Sequence, residues 1–229
     1  IGGGNIVYFV EINFIGGQNS PFISYHDGTL RMINFVGAVV IHAVRINLDG
    51  ALIFTKARQL EEAYLGMVRV IAASLDARDA YTLGHSTRVA KLSCELGKRL
   101  GLTGEALVDL ERAAIFHDLG KIQTPDDVLL KKEPLSDTEE ERMRNHPSDG
   151  TEILQAAPFL RRYIPVVRAH HEWFNGEGYP DGKKGHEIPF HAQIIALADA
   201  FDAMTTDRPY RQALTTEEAL EEILRFRGT

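Results

Sequence analysis

The feature that most narrows what this chain can fold into is the run HHEWFNGEGYP, from His170 to Pro180. It joins two adjacent imidazoles and a carboxylate to a glycine-broken loop that ends in a Tyr-Pro turn. Imidazoles suit borderline metal ions, and glycines let the backbone approach a ligand closely. Upstream, AAIFHDLGKI holds a second pair, His117-Asp118. Two such clusters point to a site with more than one metal ion, and they demand further ligands elsewhere in the fold.

The region after Tyr81 reads as helix and loop. Helices are predicted near 85–100, 104–118, 137–144, 148–156, 162–172, 190–206 and 215–226. Thr103, and Thr215 or Thr216, each followed by Glu, read as helix starts in capping-box style. The stretch 173–189 is rich in glycine and reads as a loop fixed by turns.

Further ligand types fall on these helices. His85 follows a glycine near a helix start. His117 and Asp118 end an apolar helix. His146 precedes a proline suited to a first helical turn. His170 and His171 end the next helix. Asp199 sits in IIALADAFDAM, where a lone carboxylate is costly unless paired or metal-bound. Each histidine alone fits an ordinary core or surface role, but five histidines and two aspartates on at least five helices are poorly explained by chance. A carboxylate such as Asp118 has two oxygens and can bridge two ions.

Composition excludes some functions. The net charge of −7 argues against broad binding to DNA or RNA, so an anionic substrate needs a local cationic pocket. The single cysteine, Cys94, rules out an internal disulfide and suits a reducing cytoplasm, with a buried inert thiol as its expected role. No apolar run reaches the roughly 18 to 20 residues that span a bilayer, and no signal peptide is present. The opening Ile-Gly-Gly-Gly without Met reads as a fragment or a processed chain.

Residues 1–54 read as a small N-terminal β or α+β module, because Ile6 to Phe14 and Ile33 to Ile46 are rich in Ile, Val, Phe and Tyr between breakers. His26 and His42 there lack partners at ligand spacing. Residues 55–80 read as a connecting helix, with Leu60, Tyr64, Met67, Ile71 and Ser74 on one seam at 4-3-4-3 spacing. That seam fits either packing on its own domain or pairing with a twin helix in a homodimer.

The ordered phrases DARDAYTLGHSTRVA, FHDLGKI, HPSDGTEIL, HHEWFNGEGYPDG, EIP and LADAFDAMTTDRPYR closely resemble the HD-GYP domain, a branch of the HD phosphohydrolase superfamily. The resemblance runs from about Leu75 to the C-terminus. It implies a mainly α fold, an all-α HD-type helical bundle at 75–229, and a phosphodiesterase that opens cyclic di-GMP to pGpG, in some members onward to GMP. It implies two divalent ions, iron or manganese first, with zinc, nickel or cobalt compatible. His85, His117, Asp118 and Asp199 would surround one ion, and Asp118, His146, His170 and His171 the other. Lys121 would contact the scissile phosphate or the bridging solvent. Arg208 and Arg211 would hold phosphates or guanine, and Gly178 and Tyr179 would shape the same pocket.

The chemistry is consistent with that reading. Two ions about 3.5–4 Å apart can activate water and clamp a phosphate. Lys121 adds positive charge where the transition state gathers negative charge, and arginine forks bind phosphate or a guanine edge in a way Lys cannot copy. Surface pairing of the arginines with Asp202 or Asp207 is the plainer alternative. Departures from the family pattern also bear on the site. Tyr81 stands where three-metal members carry glutamate, which favours two ions. Gln193 stands where arginine is usual, so a salt bridge is expected to be lost. The tail ends at RFRGT, short of the usual final helices. His186 and His191 match no ligand position and are expected to face solvent. Two competing functions remain open: a hydrolase for another cyclic dinucleotide, and a non-catalytic adaptor.

Overall fold

The structure is a computed structural model, and it describes residues 22–26, 29–33, 38–78, 84–207 and 212–228. Ile6 to Phe14, Tyr81, Arg208 and Arg211 lie outside the described residues. The chain divides into two compact units, Ile1–Arg58 and Gln59–Thr229.

In the first unit, β1 (Phe22–His26) and β2 (Thr29–Ile33) pair antiparallel, with Phe22 opposite Ile33. A lone two-stranded hairpin is marginal in water, so the described residues do not support the expected β or α+β module. The strand expected over Ile33 to Ile46 is corrected: from Ala38 onward the backbone is helical, in α1 (Ala38–Arg78), 41 residues long. An apolar run without proline reads alike as buried strand or helix, and here it continues a long helix.

Within the second unit the inner seam of α1 is Leu65, Val68, Ala72 and Leu75, which pack inward or lie buried. Of the seam singled out by spacing, Tyr64 packs its ring on Phe159 at 5.2 Å between centroids, while Leu60 is 58% exposed, Met67 62% and Ile71 42%. Helix α1 therefore has two apolar stripes, and only one is fully covered by its own domain.

Among the described residues, eleven further elements build the bundle: α2 (His85–Arg99), α3 (Gly104–Phe116), α4 (Asp126–Leu129), α5 (Asp137–Arg144), α6 (His146–Gln155), α7 (Ile164–Ala169), α8 (Phe190–Thr205), α9 (Thr216–Arg225), and tight 3-10 turns at Leu119–Gln123, Pro158–Tyr163 and Gly185–Glu187. Buried Ser86, Val89, Ala90 and Ser93 mark the inner face of α2 at helical spacing, and α2 packs on both α3 and α8. Leu110, Phe116, Leu154, Val167 and Ile195 fill the centre. Burying each such side chain stabilises by about 1.5–3 kcal/mol. Thr215 and Glu218 form the expected capping box on α9. Thr103 makes no side-chain cap; Ser136 and Glu139 form an unforeseen box on α5. No helix among the described residues is long and apolar enough to cross a membrane.

Candidate metal centre

Helix ends bring the candidate ligands together. His85 is the first residue of α2, whose start is fixed by buried Asp76 of α1: its carboxylate accepts from Ser86 N at 3.1 Å and Ser86 Oγ at 2.8 Å. His117 closes α3, and Asp118 leads into the 3-10 turn. His146 opens α6, with Pro147 in the first turn, where a missing N–H costs nothing. His170 closes α7, and Asp199 lies within α8. Gly120 permits this convergence, since a Cβ there would collide with the His146 carbonyl oxygen and with Gly150 N.

Orientation of the rings follows from the main chain. His117 Nδ1 lies 2.7 Å from Ala114 O, His146 Nδ1 2.7 Å from Met143 O, and His170 Nδ1 2.6 Å from Val167 O. A carbonyl oxygen only accepts, so each Nδ1 carries the hydrogen, and in the neutral ring each Nε2 keeps a bare lone pair. Those lone pairs converge on Asp118. His117 Nε2 is 3.3 Å from its Oδ2; His146 Nε2 is 3.3 Å and His170 Nε2 4.0 Å from its Oδ1. His146 and His170 face each other Nε2 to Nε2 at 3.2 Å. Two facing lone pairs repel unless a cation lies between or beside them. Buried His117 Nε2 and Asp118 Oδ1 also make no hydrogen bond, a cost that metal coordination removes.

The donor set therefore fits divalent ions. Ligand atoms of Asp118, His146, His170 and His171 lie within 4.8 Å of one another, as do those of His85, His117 and Asp118. Asp118 belongs to both groups. Asp199 Oδ1 adjoins the second, 3.2 Å from His85 Nε2. All seven candidate ligands thus share one locality.

The charge balance differs across the centre. Burial opposes a charge on His85, but the carboxylates of Asp118, Asp199 and Asp202 outweigh it and push the imidazole up to about 11. Burial and neighbouring imidazoles depress His170 well below the ordinary range, and burial with His146 takes His171 down to about 3. Burial alone would raise the Asp118 carboxyl, yet His117 and Lys121 hold it well below the usual carboxylate range. Lys121 Nζ donates to Asp118 Oδ2 at 2.6 Å from the edge of the cluster.

The loop after His171 forms one wall. The ring of Tyr179 stacks on His171 at 4.8 Å between centroids, and its N–H donates to His171 O at 3.1 Å. Gly178 runs so close to the 171–173 backbone that a Cβ would collide with Trp173 N. Glu172, grouped with the imidazoles by sequence, instead pins this loop: its oxygens accept from Asp181 N at 2.7 Å and Lys183 N at 2.9 Å. The guanidinium of Arg144 lies 5.2 Å from the centre of the Tyr179 ring. Sequence reasoning missed Glu172's role and Arg144, as well as Asp202, which bonds His85 and Arg88. The i,i+3 pairs His85/Arg88 and Asp199/Asp202 were the available signal. Gln193, where the family's arginine and its salt bridge were expected to be missing, donates a hydrogen bond to Ile188 O at 2.9 Å. His186 is exposed as expected, whereas His191 is partly buried at the start of α8.

Comparison with protein families matches residues 69–229 to a family described as HD domain. The chain is 37% identical over 172 residues to a cyclic di-GMP phosphodiesterase response regulator of Xanthomonas campestris, covering 74% of this chain and 46% of that protein. It is 36% identical over 172 residues to a cyclic di-GMP phosphodiesterase of Thermotoga maritima, covering 74% and 47%. A solved cyclic GMP-AMP-specific phosphodiesterase of V. cholerae shares the fold, with a TM-score of 0.54 at 21% identity over 72% of this chain and 44% of that one. The chain spans about half the length of the curated relatives it matches.

Proposed function

The chain belongs to the HD domain family, and on that premise we propose that it is a metal-dependent phosphodiesterase that opens cyclic di-GMP to linear pGpG. The observation that carries this reading is the convergence of bare imidazole nitrogens on Asp118, whose own Oδ1 makes no hydrogen bond. His85, His117, Asp118 and Asp199 would hold one ion, and Asp118, His146, His170 and His171 the other. Ligands of this kind admit iron, manganese, zinc, nickel or cobalt, and the family resemblance puts iron or manganese first. When bound, such ions activate water and neutralise charge on the phosphate oxygens.

The chain's own residues do the rest. Lys121 places a cation beside Asp118, where it would meet a non-bridging phosphate oxygen as negative charge builds. Gly178 and Tyr179 form the wall against which the substrate would lie. Arg208 and Arg211 would supply the forked donors for phosphate or guanine. This local positive charge would let a chain of net charge −7 accept an anionic dinucleotide. Because the fold is shared with a cyclic GMP-AMP-specific enzyme, a related cyclic dinucleotide is the second reading.

Residues 75–229 would form the catalytic domain, 55–80 a connecting helix and 1–54 a regulatory module, with the chain acting in the bacterial cytoplasm. The exposed stripe of Leu60, Met67 and Ile71 supports homodimerisation through α1.

The test is anaerobic purification, measurement of bound Fe, Mn and Zn, and chromatography of cyclic di-GMP turnover beside Asp118→Ala. Turnover to pGpG that is lost in the variant supports the proposal. A fully metallated protein without turnover would overturn it in favour of an adaptor. Equal hydrolysis of unrelated nucleotides would point instead to a general phosphohydrolase.

A further inference from the structure

We propose that Asp202 is a positioning residue that aims His85 at the metal centre, and that with Arg88 it governs only the half of the centre that His85 serves. The inference rests on the two-ion reading given above and assigns a role to residues that touch neither ion nor substrate.

Its basis is a ladder between two packed helices. His85 and Arg88 stand one turn apart on α2, and Asp199 and Asp202 stand one turn apart on α8. His85 Nε2 is 3.2 Å from Asp199 Oδ1, and His85 Nδ1 is 2.8 Å from Asp202 Oδ2. Arg88 grips Asp202 with two donors, Nε to Oδ1 at 2.6 Å and Nη2 to Oδ2 at 3.0 Å. Asp202 is buried, 4% exposed, and an unpaired carboxylate there would be costly; the guanidinium offsets that cost. The carboxylate accepts the Nδ1 hydrogen and so aims Nε2, the atom left for an ion once its proton departs, at Asp118 and Asp199. A carboxylate behind a ligating imidazole also raises its basicity.

The other rings are held differently. His117, His146 and His170 are oriented by the carbonyls of Ala114, Met143 and Val167, and His171 by the ring of Tyr179. Main-chain acceptors cannot be removed by substitution. Among the histidine ligands, His85 is the one whose hydrogen-bonded orientation is set by a side chain, so a change at Asp202 should weaken one ion and spare its neighbour.

The experiment is titration of the ion-free full chain with cobalt(II), followed by its visible absorption, with ion counts by mass spectrometry after dialysis. Wild type should take two ions per chain. Asp202→Asn should bind one of them about 10–100-fold more weakly and keep the other at wild-type affinity, with part of the loss restored in Asp202→Glu. Arg88→Lys, which keeps the charge but loses the fork, should weaken the same ion to a smaller degree and serves if Asp202→Asn does not fold. Two ions at wild-type affinity in both Asp202→Asn and Arg88→Lys would overturn the proposal. So would equal weakening of both ions in a folded variant. A wild type that takes no ion would instead overturn the underlying metal reading, which keeps the two failures apart.

Discussion

Lys121 Nζ sits 2.6 Å from Asp118 Oδ2, while the other oxygen of the same carboxylate makes no hydrogen bond and faces His146. Both oxygens face imidazoles, Oδ2 those of His117 and His85 and Oδ1 those of His146 and His170, but only Oδ2 also takes a cation that the protein supplies. Lys121→Met should lower kcat by about 10²–10³-fold, the usual cost of removing a donor aimed at developing negative charge. Ion content should stay at the wild-type value. Steady-state turnover of cyclic di-GMP alongside metal analysis checks this, and loss of ions in Lys121→Met would assign the lysine a structural role instead.

Gly120 offers a probe of how the 3-10 turn meets α6. In Gly120→Ala the new methyl must push away the His146 backbone. Overpacking of this kind costs about 1–3 kcal/mol, and it should displace His146 from Asp118. We expect a lower melting temperature together with weakened ion binding, measured by calorimetry and metal titration. A variant with wild-type values for both would show that the close approach carries no functional weight.

The loop pin at Glu172 predicts a separable defect. In Glu172→Gln one amide group must face a backbone N–H of Asp181 or Lys183, leaving donor against donor. Losing such a buried acceptor costs about 1–3 kcal/mol. Amide hydrogen exchange at Asp181 and Lys183 should quicken and KM for the dinucleotide should rise, with little change in ion content. Unchanged exchange at both amides would contradict the assignment.

Metal uptake should release a proton on the His85 side. With no ion bound, His85 is pushed up to about 11 and so is protonated at neutral pH, whereas His171, down at about 3, is already neutral. The sign follows directly. The carboxylate pairing of His85⁺ stabilises the ion-free fold fully below the ordinary imidazole range and fades as pH rises through about 11. An incoming ion must displace that proton, so affinity should climb about tenfold per pH unit across neutrality. Against burial, Asp118 raises His117 as well, so calorimetric titrations in buffers of different ionisation enthalpy should report at least about one proton released per chain; none released would refute this.

The uncovered stripe of α1 carries its own test. Met67 is 62% exposed, yet it lies in register with Leu60 and Ile71. If a second copy covers this face, light scattering should give a dimer mass, and Met67→Glu should weaken association by at least about tenfold. A monomer mass for the unaltered chain at high concentration would end the dimer account.

Much of the centre could be read from the sequence, because six of the seven candidate ligands stand at helix ends marked by local signals, such as Gly84 before His85, Pro147 after His146, and the glycine-broken loop after His171. Asp199 was legible because a carboxylate in an apolar helix demands a partner. The misses share a different cause. Asp202 gains its meaning only when α8 is laid against α2, since the i,i+3 spacing on each helix marks the two pairs but not that they meet. Spacing likewise found one apolar stripe on α1 but could not say that Leu65, Val68, Ala72 and Leu75 form the stripe that turns inward. Ile33 to Ile46 was misread as strand because β-branched residues in a short apolar run suit either conformation until the length of the element is known.

The central claim is that Asp118 joins two ion sites into one centre. The direct measurement is the number of divalent ions retained per chain by the anaerobically purified protein and by Asp118→Ala, with folding checked by circular dichroism. The account predicts two ions in the unaltered chain and a marked loss at both positions in the folded variant. Retention of two ions by Asp118→Ala, or a single ion in the unaltered protein under metal-replete conditions, would contradict it.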